Sequence, residues 1–338
     1  MKSSAIGVIG LGFAVPYGER FNSDPIFDFL KKSQFQSLFQ GYKSRRVLTE
    51  NETLVEIMAL AAVRAMQDAG VKAADVDLLL GAASLSRWIV PTDLSALHSS
   101  LGLSPKAAIL PLGNEFSNFT QGLILSDALL RVGRARTVLV VAGSDWTRAV
   151  DYHTPPAISA ADGAAAAVLG GPLSLLGNGS PALVRWCVLD QAVLVDHTEF
   201  GGMYVAGDAL RKADQPEDQQ YSGPYFHITA EGIRGFHDFG QVAAVRPAFD
   251  LLARQGLTGA DITLIGHQAS STLSDAWVKA IQPAKFLSTI EDFANMTVAS
   301  IGATFARLEA EIETDYVLLL ALGLDMHAHA VLLQRHKA

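Results

Sequence analysis

Two segments place a residue capable of chemistry at the end of an apolar run. In "IGHQASSTLSDAWV", His267 directly follows a strand-like stretch and precedes a helical one. In "DFANMTVASIGATFARL", Asn295 has the same setting. Open α/β folds bind ligands at the carboxyl ends of their parallel strands. A His and an Asn delivered there can both hydrogen-bond one carbonyl oxygen, which stabilises an enolate or an oxyanion. The same spacing also fits a structural histidine and a turn asparagine. A third segment, "LPLGNEFSNFTQGLILSDALL" at residues 110–130, reads as a strand end, a polar turn and a long apolar helix. Turns of this kind often carry a nucleophile at the helix N-terminus. This one offers Asn114, Glu115, Phe116, Ser117 and Asn118, and no cysteine.

Other motifs are weaker. "GLGFAVPYG" contains Gly10 and Gly12, but Val15 stands where a dinucleotide fingerprint requires a small residue. There is no G-x-S-x-G elbow and no phosphate-binding loop. In "MHAHAV", His327 and His329 share one face of an expected strand. Two histidines without further ligands make a poor metal site. Cys187 lies in the apolar run "LVRWCVLDQAVL" and reads as a small buried hydrophobe.

The scaffold for these residues is large. A chain of 338 residues exceeds one ordinary core, so two domains or a duplicated one are expected. It is 49% hydrophobic and 18% charged, which suits a big interior and also a subunit that hides surface against a partner. The net charge of −8, without a Lys or Arg run, argues against nucleic acid. A single cysteine precludes an intrachain disulfide framework and suits a reducing compartment. The N-terminal apolar run is too short for a signal peptide, and no stretch reaches membrane-span length. A cytoplasmic location is the expectation.

An internal repeat organises the chain. "AGVKAADVDLLLGAAS" (69–84) matches "QGLTGADITLIGHQAS" (255–270) without a gap, at Gly70 and Gly256, Asp75 and Asp261, Ser84 and Ser270. Each copy follows an amphipathic helical pattern that a glycine terminates. Each then leads into an apolar strand, at 76–81 and 262–266. A looser pair, "RTVLVVAGSD" and "TDYVLLLALGLD", has the continuous apolar character of strands buried on both faces. Two α/β halves are expected, residues 1–175 and 176–338, with His267 and Asn295 in the second. The polar segment 203–225 lacks periodicity and reads as a lid, a partner contact or an insert.

These segments together resemble the β-ketoacyl-acyl carrier protein synthase III family of the thiolase superfamily, over nearly the whole chain. "GHQAS" resembles the family's catalytic His-Gln-Ala-Asn motif, with Ser270 in place of the last Asn. "FANMTVASI" resembles the motif that carries its catalytic Asn, and "SAADGAAAAVLGG" its Gly-Asp-Gly-Ala segment. "GYKSRRVLTENET" resembles its nucleotide-contacting turn, which would give Lys43, Arg45 and Arg46 a substrate-binding role beside Asn118 and Ser270. A solvated turn explains the same three cations. The resemblance implies a five-layer αβαβα fold, a dimer, and an acyl thioester (acyl-CoA or acyl carrier protein) entering by a tunnel. It calls for no cofactor, membrane or nucleic acid.

Two departures matter. The family's turn reads roughly Cys-Ala-Gly-Phe, and its Cys holds the acyl group. Gap-free alignment on Phe119, Asp127 and Gly133 places Phe116 at the Cys position, and a one-residue shift would place Glu115 there. Phe has no nucleophile, and nothing supports an acyl-Glu. No acyl adduct on the turn is expected. The family's glycine-rich turn near the C-terminus becomes "ALGLDMHAHA", which bears on its oxyanion hole. Two functions follow from the resemblance. One is cysteine-independent acyl transfer or decarboxylation with His267 and Asn295, Glu115 biasing the histidine toward a base role. The other is a non-catalytic subunit that pairs with a cysteine-containing paralogue, with Phe116 as a plug.

Overall fold

The structure is a computed structural model describing residues 5–28, 38–88, 90–113, 115–171, 183–199, 201–205 and 226–337, with Glu115 and Glu199 described by backbone alone. In the first part of the chain the strands are β1 (Gly7–Ala14), β2 (Gly18–Phe21), β3 (Ser44–Val47), β4 (Leu78–Ala83), β5 (Ala108–Pro111), β6 (Thr137–Asp145) and β7 (Asp162–Gly170). The second part has β8 (Trp186–Val195), β9 (Met203–Val205), β10 (Phe226–Ile228), β11 (Ile262–Gly266), β12 (Lys285–Leu287), β13 (Tyr316–Leu322) and β14 (His327–Arg335). The helices are α1 (Leu54–Ala69), α2 (Asp93–Ser100), α3 (Asn118–Arg131), α4 (Ala230–Gly235), α5 (Arg246–Gln255), α6 (Ser271–Ile281), α7 (Ile290–Phe293) and α8 (Ser300–Leu308).

Ten strands run in the order β12-β11-β13-β14-β8-β1-β7-β6-β4-β5. Read outward from the centre, 1-7-6-4-5 on one side is matched by 8-14-13-11-12 on the other. The two blocks join at one residue pair, Val8 with Trp186. Helix α1 packs on β1, β7 and β6, while α5 packs on β8 and β14. Between the blocks lie α3, on β4, β6 and β7, and α8, on β1, β7, β11 and β13. This is the five-layer αβαβα arrangement, and three apolar cores separate its layers. The apolar runs at β6 and β13 are buried almost throughout, as strands covered on both faces must be.

Local chemistry sets the element ends. Thr53 and Glu56 form a reciprocal capping box at the start of α1. Gly70 and Gly256 end α1 and α5 at φ of 66° and 65°, a left-handed turn that favours glycine. The second repeat helix is shorter than its pattern suggests. Residues Phe236–Ala243 wind as a π-helix, and α5 begins only at Arg246 with Pro247 behind it. Pro247 has no N–H to donate to the preceding turn, so a continuous helix is broken there. Among the described residues, no helix is long and apolar enough to cross a membrane.

The central layer is tight where α8 meets α3. A Cβ on Gly302 would lie 2.7 Å from both the Ala165 Cβ and the Phe119 ring. Gly302→Ala therefore overpacks the layer that carries both site turns. It should destabilise the fold by about 1–3 kcal/mol, read as a lower urea midpoint; an unchanged midpoint would show that the layer yields freely.

Candidate active site

Strand β11 delivers His267. Its backbone N–H donates to Leu320 O at 2.9 Å, extending the parallel pairing with β13 by one bond. The chain then turns, and Ser270 caps α6. The imidazole is 1% exposed, and neither ring nitrogen has a hydrogen-bond partner. Burial, and secondly the nearby His327, push its pKa down to about 3. It is neutral at physiological pH and carries one N–H.

Asn295 precedes α8. Its N–H donates to Ser159 O at 2.8 Å, and its carbonyl accepts from Ala161 N–H at 3.1 Å, so the other half of the chain pins it. The side-chain Oδ1 accepts the Thr297 N–H at 2.9 Å, so the NH2 is the end of the amide left for a ligand. Ala294 and Thr297 have φ of 50° and 41°. Such values are costly for non-glycine residues, above all for β-branched Thr, and cluster at functional sites.

Both side chains line one cavity of about 50 Å3, with Phe116, Trp146, Gly323 and Leu324. Phe116 stacks on the His267 ring, with centroids 5.1 Å apart and planes 14° apart. Its edge-on partner is Trp146, at 5.6 Å and 86°. Two larger spaces share walls with this cavity. One of about 230 Å3 adjoins it at Phe39, Pro156 and Phe226. One of about 320 Å3 adjoins it at Phe116, Trp146 and Leu324, and includes Ser84 and Asn118.

The structure thus brings together His267, Asn295, Phe116 and, on the adjoining space, Asn118. The Glu115 side chain lies outside the described residues. The other expected substrate contacts are placed differently. Ser270 is buried, and its Oγ accepts from Gln40 N–H and Thr272 N–H, both at 3.2 Å, as a helix cap. Arg45 is fully buried. Its guanidinium donates to Arg20 O, Asn22 Oδ1 and Ile158 O and lies over the Phe27 ring, so it does not present itself to a phosphate. Lys43 is exposed and pairs with Glu291, and Arg46 lies 3.9 Å from Glu19. Cys187 sits on β8, partly buried against the outer core, where burial raises its pKa.

Sequence reading missed one constellation. Ser117 Oγ lies 2.6 Å from His327 Nε2, and His327 Nδ1 is bonded to the Asp325 carboxylate. Thr120 Oγ1 donates to Ser117 O at 2.8 Å and meets His329 Nδ1 at 2.9 Å; His329 Nε2 meets Gln191 Oε1 at 2.9 Å. The histidines at 327 and 329 therefore have α3 as their common neighbour. Among the described residues, no group of three His, Cys, Asp or Glu could hold a metal. The only local signal was a pair of histidines inside an otherwise apolar strand.

Burial also holds His329 down, at about 4. Both this residue and His267 are neutral when folded but take a proton near pH 6.5 when unfolded. The unfolded state therefore binds more protons as pH falls below about 6.5, and stability falls with it toward pH 4. Each group contributes up to about 1.4 kcal/mol per pH unit. Chemical denaturation at pH 7 and pH 5 should show a smaller loss in His267→Gln than in the wild type; equal losses would mean that His267 is charged in the fold.

Comparison with known proteins agrees with this architecture. The 3-oxoacyl-[acyl-carrier-protein (ACP)] synthase III family model matches residues 112–174, and that family's C-terminal model matches residues 252–335. The β-ketoacyl-[acyl-carrier-protein] synthase III of Rhodospirillum rubrum is 29% identical over 291 residues, covering 84% of this chain and 85% of that protein. The priming β-ketosynthase of the R1128 polyketide pathway superposes with a TM-score of 0.83 at 22% identity, covering 98% and 96% of the two chains. Xanthomonas campestris OleA, in a structure with bound lauric acid and lauroyl-CoA, gives 0.79 at 16%, covering 98% and 99%. Two family models over separate segments, near-full-length relatives at 28–29% identity and a shared fold agree: this chain is similar to the 3-oxoacyl-[acyl-carrier-protein] synthase III proteins.

Proposed function

We propose that this protein acts on acyl thioesters, acyl-CoA or acyl carrier protein, in fatty-acid or polyketide-type biosynthesis, by acyl transfer or decarboxylation without a cysteine nucleophile. One observation carries this reading. A buried His267 with two unpartnered ring nitrogens shares a cavity with the Asn295 amide. An unsatisfied buried polar group costs about 1–3 kcal/mol, which a ligand oxygen accepting from it would recover. A neutral imidazole N–H and an amide N–H can both donate to a thioester carbonyl. For a malonyl-type group they would stabilise the enolate left by loss of CO2. For direct transfer, the basic ring nitrogen would instead take a proton from the acceptor. The single cysteine, Cys187, is on β8 and is not among the cavity walls.

A second reading rests on Phe116. Its ring stacks on His267 and walls a small cavity of about 50 Å3. Turnover of a bulky acyl group would be easier with that ring displaced. A silent subunit, shaping the acyl pocket of an active ketosynthase paralogue in a heterodimer, would leave it in place. A homodimer serves the enzyme reading equally well.

Variants separate the two. If the site turns over, His267→Ala and Asn295→Ala should each lower the rate about 10²- to 10³-fold with the fold intact, and Phe116→Ala should matter less. In a silent subunit the order inverts. His267→Ala would be neutral in the assembled complex, while Phe116→Ala would cost about 3–5 kcal/mol of stability and shift the partner's chain-length preference. Turnover of malonyl and acyl thioesters, with and without a paralogue, decides. Activity of the chain alone that is lost in His267→Ala sinks the silent subunit; full complex activity in His267→Ala sinks the enzyme. Docking of an acidic carrier is a separate matter. Lys43→Glu and Arg46→Glu should weaken carrier binding and flatten its salt dependence, and unchanged titrations would leave both residues as solvated surface.

A further inference from the structure

We propose that Ser117, His327 and Asp325 form a second nucleophilic site, in which the Ser117 hydroxyl takes up an acyl group as an oxygen ester. The donor class, an acyl thioester, rests on the function proposed above; the nucleophile itself rests on geometry alone. Asp325 accepts from His327 Nδ1–H, which leaves Nε2 as an acceptor, and Ser117 Oγ stands 2.6 Å from it. That is the tautomer and order of groups by which an imidazole activates a hydroxyl. Met326, between Asp325 and His327, has φ of 58°, a left-handed turn that places the two side chains of the pair side by side. Gly323 makes room for the base, because a Cβ there would lie 2.0 Å from the His327 ring. Ser117 also directly precedes α3, fourteen residues long, whose N-terminus favours developing negative charge.

The position fits an acyl site as well. Phe116 and Asn118, on either side of Ser117, line the 320 Å3 space, together with Leu324 beside Asp325. Ser117 itself is fully buried, so the turn must give before a carbonyl reaches it. In the acylation step the Ser117 proton passes to His327 Nε2 and the Oγ–C bond forms. The C–S bond breaks, and the proton moves on to the departing thiolate. The products are an acyl-Ser117 ester and a free thiol. Water or a second acceptor releases the acyl group by the reverse sequence of proton transfers. Such an ester would depart from the expectation that the turn carries no adduct.

A buried hydroxyl that merely satisfies a histidine would have the same distances but no reactivity. Labelling by an alkyl fluorophosphonate, followed by intact mass and peptide mapping, distinguishes them. The expected result is one adduct on Ser117, absent in Ser117→Ala and at least ~10²-fold slower to form in Asp325→Asn, whose amide favours the wrong tautomer. Folded wild-type protein with no adduct on Ser117, or labelling unchanged in Asp325→Asn, would overturn the proposal. Decanoyl-CoA supplies the second arm: an ester on Ser117 supports the thioester donor. Fluorophosphonate labelling without that ester would uphold the nucleophile and overturn the thioester.

Discussion

The contact between α8 and α3 sets where every group in the site can stand. Gly302 meets the Phe119 ring and Ala165 with no room for a methyl group. These two helices belong to opposite halves of the chain, and the turn before each carries site residues. Residues 115–118 lead into α3, and residues 295–299 lead into α8. Two strand blocks that share one pair of residues at their edges could otherwise slide against each other. Close packing of the middle layer prevents this, because interiors this dense do not deform continuously. Asn295 adds a second lock, with its backbone bonded on both sides to the segment that leads into β7.

Within that frame the site is built for neutral groups. His267 is buried, stacked on Phe116 and facing a cavity lined mainly by apolar groups, an environment that withholds the solvation a cation needs. His327 lies close enough for its charge to oppose that of His267. His329 is likewise held neutral by burial. His267 and His329 therefore act through hydrogen bonds, and the three rings differ in the partners they have. His329 is bonded at both nitrogens, His327 at both, and His267 at neither. The contrast singles out His267 as the ring whose partner must come from elsewhere.

Much of the frame was legible because it rests on local periodicity. Continuous apolar runs marked β6 and β13, and glycines marked the ends of α1 and α5. His267 was legible because it follows the end of β11, whereas Asn295, expected at a strand end too, follows the short helix α7 and reaches the cavity from there. What escaped depends on contacts remote in sequence. Ser117 and His327 are 210 residues apart, and nothing near either one announces the other. Arg45 sits in the cationic stretch KSRR, which reads as surface. Its burial depends on acceptors from Arg20, Asn22 and Ile158, which the fold brings round it. Two misses were local. Pro247 stood in view inside a helical pattern, and Ser270 before "STLSDAW" had the form of an N-cap.

The turn at 115–118 is tied to both polar systems at once, and that limits how a ligand can enter. Phe116 lies on His267, while its neighbour Ser117 is bonded to His327. The Phe116 ring forms one wall of the cavity that His267 and Asn295 share, so a ligand reaching both must pass or displace it. Rotation of the Phe116 side chain alone would vacate that space and leave the Ser117 bond intact. A shift of the backbone would vacate it too, but would pull Oγ away from Nε2. The two routes therefore have opposite consequences for Ser117. In the first, a ligand on His267 finds the serine still paired with its base. In the second, occupancy of one site weakens the other, and binding at the two would be linked through a single turn.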